Sequence, residues 1–485
     1  MTNGYFRLFL LLSVLCIASC SESANPVDSD GPSRGKADSS TGTAPVPSWT
    51  IGLSEEQRLM VAESYGFEGP VLLVLSAIHG NERLALTYGE RFRTELLSGY
   101  ADRHGIRVIF LQVANPDGVM RRSRENAGFI DLNRDFPTSN RYDDNAHSGL
   151  ESVYIKDLVD ASNLTAALSV HCCIPTFDWD GPAGELAEGM SEAMLPEVYF
   201  GTQTLGASAG SLGSYVGLDL GLPIITVEFA VGTEIEPLLQ LQQMTKAFEA
   251  AGDWVSRQSG VGPAFESMPN VEDPSYESAW LAESAAGVPL RVERIRAEYP
   301  IREEPVFLLA GFGAPTRTGA WVAESLRREL ISMGRLQDMN WEIVTAVNPD
   351  GIANGSALNG SGISVLEDLA LDSPVTPEGR AIRNLLGDNP KRIFLFKDAG
   401  PDAANTVEIR GPDRADLESR LDPALFTLAE DSEDSLLSSL SEEGHTVILF
   451  TVSAEYFEAQ YWDDAFDENQ QSARPVYELM MGLVD

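Results

Sequence analysis

A chain of 485 residues with 43% hydrophobic and 22% charged residues is globular in composition and long enough for two domains, so a single small module is excluded. Its 34 Lys and Arg stand against 73 Asp and Glu, a formal net charge of -39, and no dense basic run interrupts the excess. A nucleic-acid backbone is therefore excluded as a partner, while cationic and neutral partners stay open. Four cysteines are too few for a disulfide-built scaffold.

In chain order, Arg7 is followed by an apolar stretch at residues 8–17, too short to span a bilayer and ending in small residues as a secretory signal does. Ile17-Ala18-Ser19-Cys20 resembles the lipobox of bacterial lipoproteins. That resemblance implies cleavage before Cys20, lipidation of its thiol and, with Ser21 following, retention at the outer membrane of a bacterial envelope. The lipid is then the only contact with the membrane. Residues 21–48 are rich in Ser, Gly, Pro, Asp and Thr and read as a solvated tether, so the folded body begins near Trp49.

From Trp49 onward strand-like and helix-like stretches alternate, the pattern of an α/β sandwich. Residues 70–77, 108–114, 166–170 and 224–229 are apolar enough for central strands buried on both faces, with helices expected near 81–98, 148–160 and 235–256. A polar segment with Gly260, Gly262, Pro263, Pro269 and Pro274 reads as a linker over 258–275 between domains at 49–257 and 276–485.

The residues that carry chemistry sit at the ends of the expected strands. His79-Gly80-Asn81-Glu82 closes the first and opens a helix, a turn from which His and Glu side chains converge on one point. Taken alone it means little, since this composition gives about 0.75 chance occurrences of His followed three later by an acid. Asn115-Pro116-Asp117-Gly118 ends the second strand, followed by Arg124 and by Asp131-Leu132-Asn133-Arg134-Asp135-Phe136-Pro137. His171 and Glu228 then lie in apolar runs, where a charged or titratable side chain is rare unless paired or bound to metal.

In this order the motifs resemble those of the zinc carboxypeptidases of the carboxypeptidase A superfamily. The resemblance covers residues 70–230 and implies a three-layer αβα domain with a mixed sheet. It implies one zinc ion held by His79, Glu82 and His171, with Glu228 as general base and Arg124 polarising the scissile carbonyl. Asn133 and Arg134 would clamp the free carboxylate of a peptide substrate. Arg124-Glu125-Asn126, the 92 positions from His79 to His171, Asp178-Trp179-Asp180-Gly181-Pro182-Ala183 and Gly210-Ser211-Leu212-Gly213-Ser214-Tyr215 are similar to bacterial murein peptide amidases, implying a muropeptide substrate. In that subgroup Tyr215 reaches the substrate; a packing role is its alternative. His79-Gly80-Asn81-Glu82 also resembles the aspartoacylase and succinylglutamate desuccinylase branch, which removes an acyl group from an amino acid.

Cys172 and Cys173 read as small buried residues or as a vicinal disulfide rather than metal ligands. His104 and His147 read as surface residues and His445 as structural. The second half repeats the first: Asn348-Pro349-Asp350-Gly351 lies 233 positions after Asn115, and Asn359 lies opposite Asn126 at the same offset. It lacks the chemistry. Gly311-Phe312-Gly313-Ala314-Pro315-Thr316 stands where His79 and Glu82 should recur, Lys397 opposite His171, Ala357 opposite Arg124, Leu366 and Glu367 opposite Asn133 and Arg134, and Ser453 nearest Glu228. The second half is thus expected to be a degenerate, non-catalytic copy that packs on the first as an intrachain pseudo-dimer. A wholly non-catalytic cell-wall-binding lipoprotein is the rival reading from another class.

Overall fold

The computed structural model describes residues 48–452 apart from 67–68, 142–146, 199, 231–236, 261, 263–266, 314–316, 335–336, 390, 400–404, 422–426 and 430–433, together with Met480 and Leu483. Cys20, the tether up to residue 47 and Ser453 lie outside the described residues.

The first sheet has eight strands: β1 (Ser48–Leu53), β2 (Leu59–Tyr65), β3 (Val71–Ser76), β4 (Arg107–Leu111), β5 (Ala166–Cys173), β6 (Thr176–Asp180), β7 (Gly201–Gln203) and β8 (Ile224–Ala230). They lie in the order β1-β2-β4-β3-β5-β8-β6-β7. The central four, β4-β3-β5-β8, are parallel, and β2 and β6 flank them antiparallel. Parallel strands are covered on both faces, which is why β3 is a run of Val, Leu and Ser with every residue buried. Alternate residues feed two cores. Leu72, Val74, Val108 and Phe110 pack with Phe92 and Phe248, whereas Leu73, Leu75, Ile109 and Leu111 pack with Ile155 and Leu158. Those partners come from helices Arg83–Leu97 and Pro237–Ser256 on one face and Leu150–Ala161 on the other, giving three layers.

The second sheet comprises β9 (Tyr276–Glu283), β10 (Pro289–Ile295), β11 (Arg302–Leu309), β12 (Met339–Val344), β13 (Arg392–Asp398), β14 (Thr406–Arg410), β15 (Thr427–Leu428) and β16 (Thr446–Val452). Read from β9, its order is β9-β10-β12-β11-β13-β16-β14-β15, which is the first sheet strand for strand. The match extends to side chains. Asn115 caps the helix after β4, accepting from the Gly118 amide and donating to the Ile78 and Arg124 carbonyls; Asn348 accepts from Gly351 and donates to Phe312 and Ala357. Asn126 donates to Glu151 and Asn359 to Glu378, while Ser54 donates to Asp117 and Ser284 to Asp350. Two mixed α/β layers of one topology are thus built in tandem.

The expected 258–275 linker is not a free tether where it is described. Met268 is buried in the first core, Trp49 donates through Nε1 to the Pro269 carbonyl at 2.9 Å, and Val271 donates to the Thr50 carbonyl. Its Gly and Pro residues suit a path along the sheet edge as well as a solvated one.

Helices Arg83–Leu97 and Thr318–Met333, which follow β3 and β11, pack on each other. Between them lies a buried charge network. Arg93 donates to Glu63 at 2.8 Å, to Glu293 at 3.0 Å and to Glu324 at 2.6 Å. Arg327 pairs with Glu293 and reaches across to Glu63. Glu63 and Glu293 occupy the same place in β2 and β10, level with Phe110 and Ile343 respectively. Burial works to raise both carboxyls, but Arg327 and Arg93 outweigh it and hold Glu293 down at about 2.

Candidate metal centre

After β3 the chain turns sharply through Ala77, whose φ is 54°. The turn is pressed against helix Pro116–Arg121: a Cβ on Gly80 would lie 1.8 Å from the Gly118 carbonyl carbon, so only glycine fits. Asn115 fastens the same turn through the Ile78 carbonyl. His79 and Glu82 are thereby fixed at the C-terminal edge of the parallel strands, with Glu82 at the N-cap position of helix Arg83–Leu97. His171 comes from the adjoining end of β5.

The three side chains converge. His79 Nδ1 lies 2.7 Å from Glu82 Oε1 and His171 Nδ1 lies 3.0 Å from Glu82 Oε2. One donor atom from each falls within 4.8 Å of the others, and all three residues are buried. The outward nitrogens are held as well: His79 Nε2 by Asp131 Oδ1 at 3.2 Å, and His171 Nε2 by Ser169 Oγ at 3.0 Å. A carboxylate on Nε2 fixes the ring with its proton on that atom and leaves the Nδ1 lone pair directed at the shared point. Burial works to raise the Glu82 carboxyl, yet the His171 and His79 rings hold it down at about 2, so it stands as an anion. Two imidazole nitrogens and one carboxylate oxygen, converging from a rigid sheet edge, fit a tetrahedral zinc ion with its fourth position open.

Glu228 lies in β8 level with His171 in β5. Its Oε2 is buried without a hydrogen-bond partner among the described residues, and burial followed by the nearby Glu82 charge pushes its carboxyl up to about 8. A carboxylate so placed is destabilised until a cation or a proton donor reaches it. Arg124 lies over the same point, with Nη1 3.3 Å from His79 Nδ1 and Nε 2.9 Å from Asp131 Oδ2, and its side chain is 44% exposed. Asn133 uses its side-chain oxygen Oδ1 to accept from the Leu212 amide at 2.9 Å, which leaves its side-chain NH2 for other partners. Arg134 is exposed, its Nη1 donating to the Asn133 carbonyl at 2.6 Å.

Tyr215 does not take the place expected of a substrate contact. It is 7% exposed, its ring stacks on Phe136 with centroids 6.0 Å apart, and its hydroxyl donates to Asp160 of helix Leu150–Ala161. The packing alternative describes it. His104 is not a free surface residue either: both ring nitrogens are bonded, to Glu249 at 2.8 Å and Asp253 at 2.9 Å. His445 has the structural place expected, accepting the Lys391 amide at 3.0 Å. Asp131 and Ser169, which orient the two histidines, were missed in the sequence. Asp131 carried a signal, because it stands in the Asp131–Pro137 motif beside the expected clamp; Ser169 carried none.

In the second half Gly313 follows Phe312 where His79 follows Ile78, and Ser364 caps the turn that Asp131 caps in the first. Lys397 occupies the His171 place in β13 and pairs with Asp434 at 3.0 Å. Strand register corrects one assignment: the residue level with Lys397 is Thr451, so Thr451 rather than Ser453 takes the place of Glu228. The two-residue difference arises because residue offsets drift through the loops while β16 keeps its own register.

A search of curated proteins found no match. Among solved structures, the chain is similar to the carboxypeptidase A from Helicoverpa armigera at 19% identity, over 44% of this chain and 68% of that one, with a TM-score of 0.37. It is similar to the murein-tripeptide amidase MpaA from Escherichia coli O157 at 21% identity, over 45% of this chain and 95% of that one, with a TM-score of 0.33. A metallo-carboxypeptidase from Burkholderia cenocepacia matches at 15% identity, over 43% and 65% of the two chains, with a TM-score of 0.35. The family model that matches is the Succinylglutamate desuccinylase/Aspartoacylase catalytic domain, over residues 68–171, a span of this chain that begins before His79 and ends on His171.

Proposed function

We propose that the first half is a zinc-dependent hydrolase that cleaves a peptide or murein-peptide amide next to a free carboxylate. The observation that carries the reading is the convergence of His79, Glu82 and His171 beside a Glu228 oxygen with no partner among the described residues. When bound, zinc supplies an acidified water and a Lewis acid for the scissile carbonyl. Glu228 accepts the proton of the attacking water at its free oxygen and passes it to the leaving amine, for which its raised affinity for protons suits it. Arg124, exposed over the same point, donates to the oxygen on which negative charge develops. Arg134 offers a planar fork to the substrate carboxylate and Asn133 an uncharged NH2.

The second half serves as a folding partner, a built-in pseudo-dimer mate without its own metal. The export signal and Cys20 support attachment to a bacterial envelope by a lipid, where murein stems ending in diaminopimelate present the required carboxylate. The family match over residues 68–171 favours a second reading, removal of an acyl group from an N-acyl amino acid. Hydrolysis of muropeptides and C-terminal peptides beside N-acetylaspartate and succinylglutamate separates the two. The peptidase reading expects Arg134→Ala to weaken turnover of free-carboxylate peptides by about 10-fold or more while sparing amidated ones. Preference for the N-acyl amino acids over every peptide would favour the deacylase.

A further inference from the structure

The turn that delivers His79 is tied to the segment that follows β4. Ser76 donates through Oγ to the Gln112 carbonyl, the Ala114 N–H donates to the Ser76 carbonyl at 3.0 Å, and the Asn115 N–H donates to the Ala77 carbonyl at 3.0 Å. The Asn115 side chain adds a bond to the Ile78 carbonyl at 3.2 Å, so the three residues before His79 are each fastened to residues 112–115. That segment is in turn held from the other half. Gln112 is buried, its Oε1 accepts from Arg327 Nη1 at 2.9 Å, and its Nε2 has no hydrogen-bond partner among the described residues. Arg327 is the only side chain bonded to the Gln112 amide among the described residues, and it is buried against Glu293 and Glu63. The arrangement is reciprocal. Thr345, 233 positions after Gln112, accepts from Arg93 Nη1 at 3.1 Å. Val347 and Asn348 fasten Ala310, Gly311 and Phe312 as Ala114 and Asn115 fasten Ser76, Ala77 and Ile78. Each half thus grips the other by the same pair of positions, as two copies in an isologous contact do. Only in the first half does the gripped turn lead to a His of the cluster.

We propose that the second half holds the metal turn of the first in place through Arg327 and Gln112, which are positioning residues for the zinc ligand His79. The proposal rests on the zinc reading above and gives the degenerate half a part in metal binding besides its part in folding. A metal site needs its donor atoms held to within about 0.5 Å, and the rail that sets His79 begins where the pairing of β4 ends, at Leu111. Releasing the Gln112 side chain loosens that rail at its first residue. Changes along a packed, hydrogen-bonded chain of this kind alter coupling by about 2–30-fold, which sets the expected scale.

The test measures zinc affinity of the full chain by competition with a chromogenic chelator, and the visible spectrum of the cobalt-substituted protein, whose bands report the geometry around the metal. Four forms are compared: wild type, Gln112→Leu, Gln112→Asn and Thr345→Val. Gln112→Leu removes the acceptor for Arg327 at similar volume. Gln112→Asn keeps the amide but draws it back by one methylene, and it carries the test if the leucine variant does not fold. Thr345→Val cuts the mirror contact in the half without the cluster. Thermal unfolding of each form fixes a working temperature at which all are folded. The proposal expects zinc binding about 2–30-fold weaker and altered cobalt bands in the Gln112 variants. It expects wild-type affinity and an unchanged spectrum in Thr345→Val, even where that variant melts earlier. Wild-type affinity and spectrum in folded Gln112 variants would overturn it. So would an equal loss of affinity in Thr345→Val, which would mean that zinc binding follows overall stability. Failure of the wild type to bind zinc at all would instead overturn the metal reading itself, and this proposal with it.

Discussion

Glu228 shows what a single position contributes and how much of it is visible in a sequence. Glu in the run Ile225-Thr226-Val227-Glu228-Phe229 is conspicuous because a buried charge needs a reason, and one of its oxygens has no hydrogen-bond partner among the described residues, level with His171. Glu228→Gln keeps the shape and removes the base, so zinc content should stay at the wild-type level while turnover falls roughly 10²–10⁴-fold. Metal analysis and steady-state kinetics on the same preparation check it, and near-normal turnover would remove Glu228 from the mechanism. His79, Glu82 and His171 stand out for a similar reason, whereas Asp131 and Ser169 do not, because an Asp before a turn and a Ser within a strand have ordinary structural uses. Which ring nitrogen each histidine turns inward depended on those partners and so was hidden with them.

Among the elements, the four central strands were readable because both their faces are covered and their sequences are nearly all apolar. The flanking strands were not: β7 has three residues and β15 two, too few for a pattern to emerge. The loop between β3 and helix Arg83–Leu97 is where element and site meet. Gly80→Ala drives a methyl group into the backbone of helix Pro116–Arg121, so about 1–3 kcal/mol of stability should be lost. His79 moves with the turn, so zinc affinity should fall alongside. Denaturant unfolding and zinc titration test the pair of effects; loss of stability with unchanged affinity would mean that the turn does not position the ligand. The Asn115 and Asn348 networks are the same in both halves, although among the described residues only the first half gathers a His-Glu-His cluster. The Asn-Pro-Asp-Gly turn is therefore scaffold, and its recurrence made the duplication legible while saying nothing about activity.

Across the whole molecule, the halves share a buried network that the sequence concealed, because Glu63, Arg93, Glu293 and Arg327 are far apart in the chain and each resembles a surface charge. Removing Arg327 takes one of two guanidinium partners from buried Glu63 and Glu293, which keep only part of their compensation in Arg93. Arg327→Met should cost about 3–5 kcal/mol, read as a lower unfolding midpoint. The network also gives a pH dependence with a definite sign. Glu63 and Glu293 are held below their unfolded values, so their contribution is present above the usual carboxylate range and is lost as pH falls towards about 2. Glu324, which burial raises, works the other way and softens the loss. Melting curves between pH 7 and pH 3 should therefore drop more steeply for wild type than for Arg327→Met, and parallel curves would assign acid sensitivity to other groups.

The most direct measurement is zinc stoichiometry of the full chain, wild type beside His79→Ala and Lys397→Ala. The account predicts one equivalent in the wild type, none in His79→Ala and one in Lys397→Ala, since the three proposed ligands lie in the first half and Lys397 fills the place of His171 in the second. Two equivalents in the wild type, or zinc retained by His79→Ala at wild-type affinity, would contradict it.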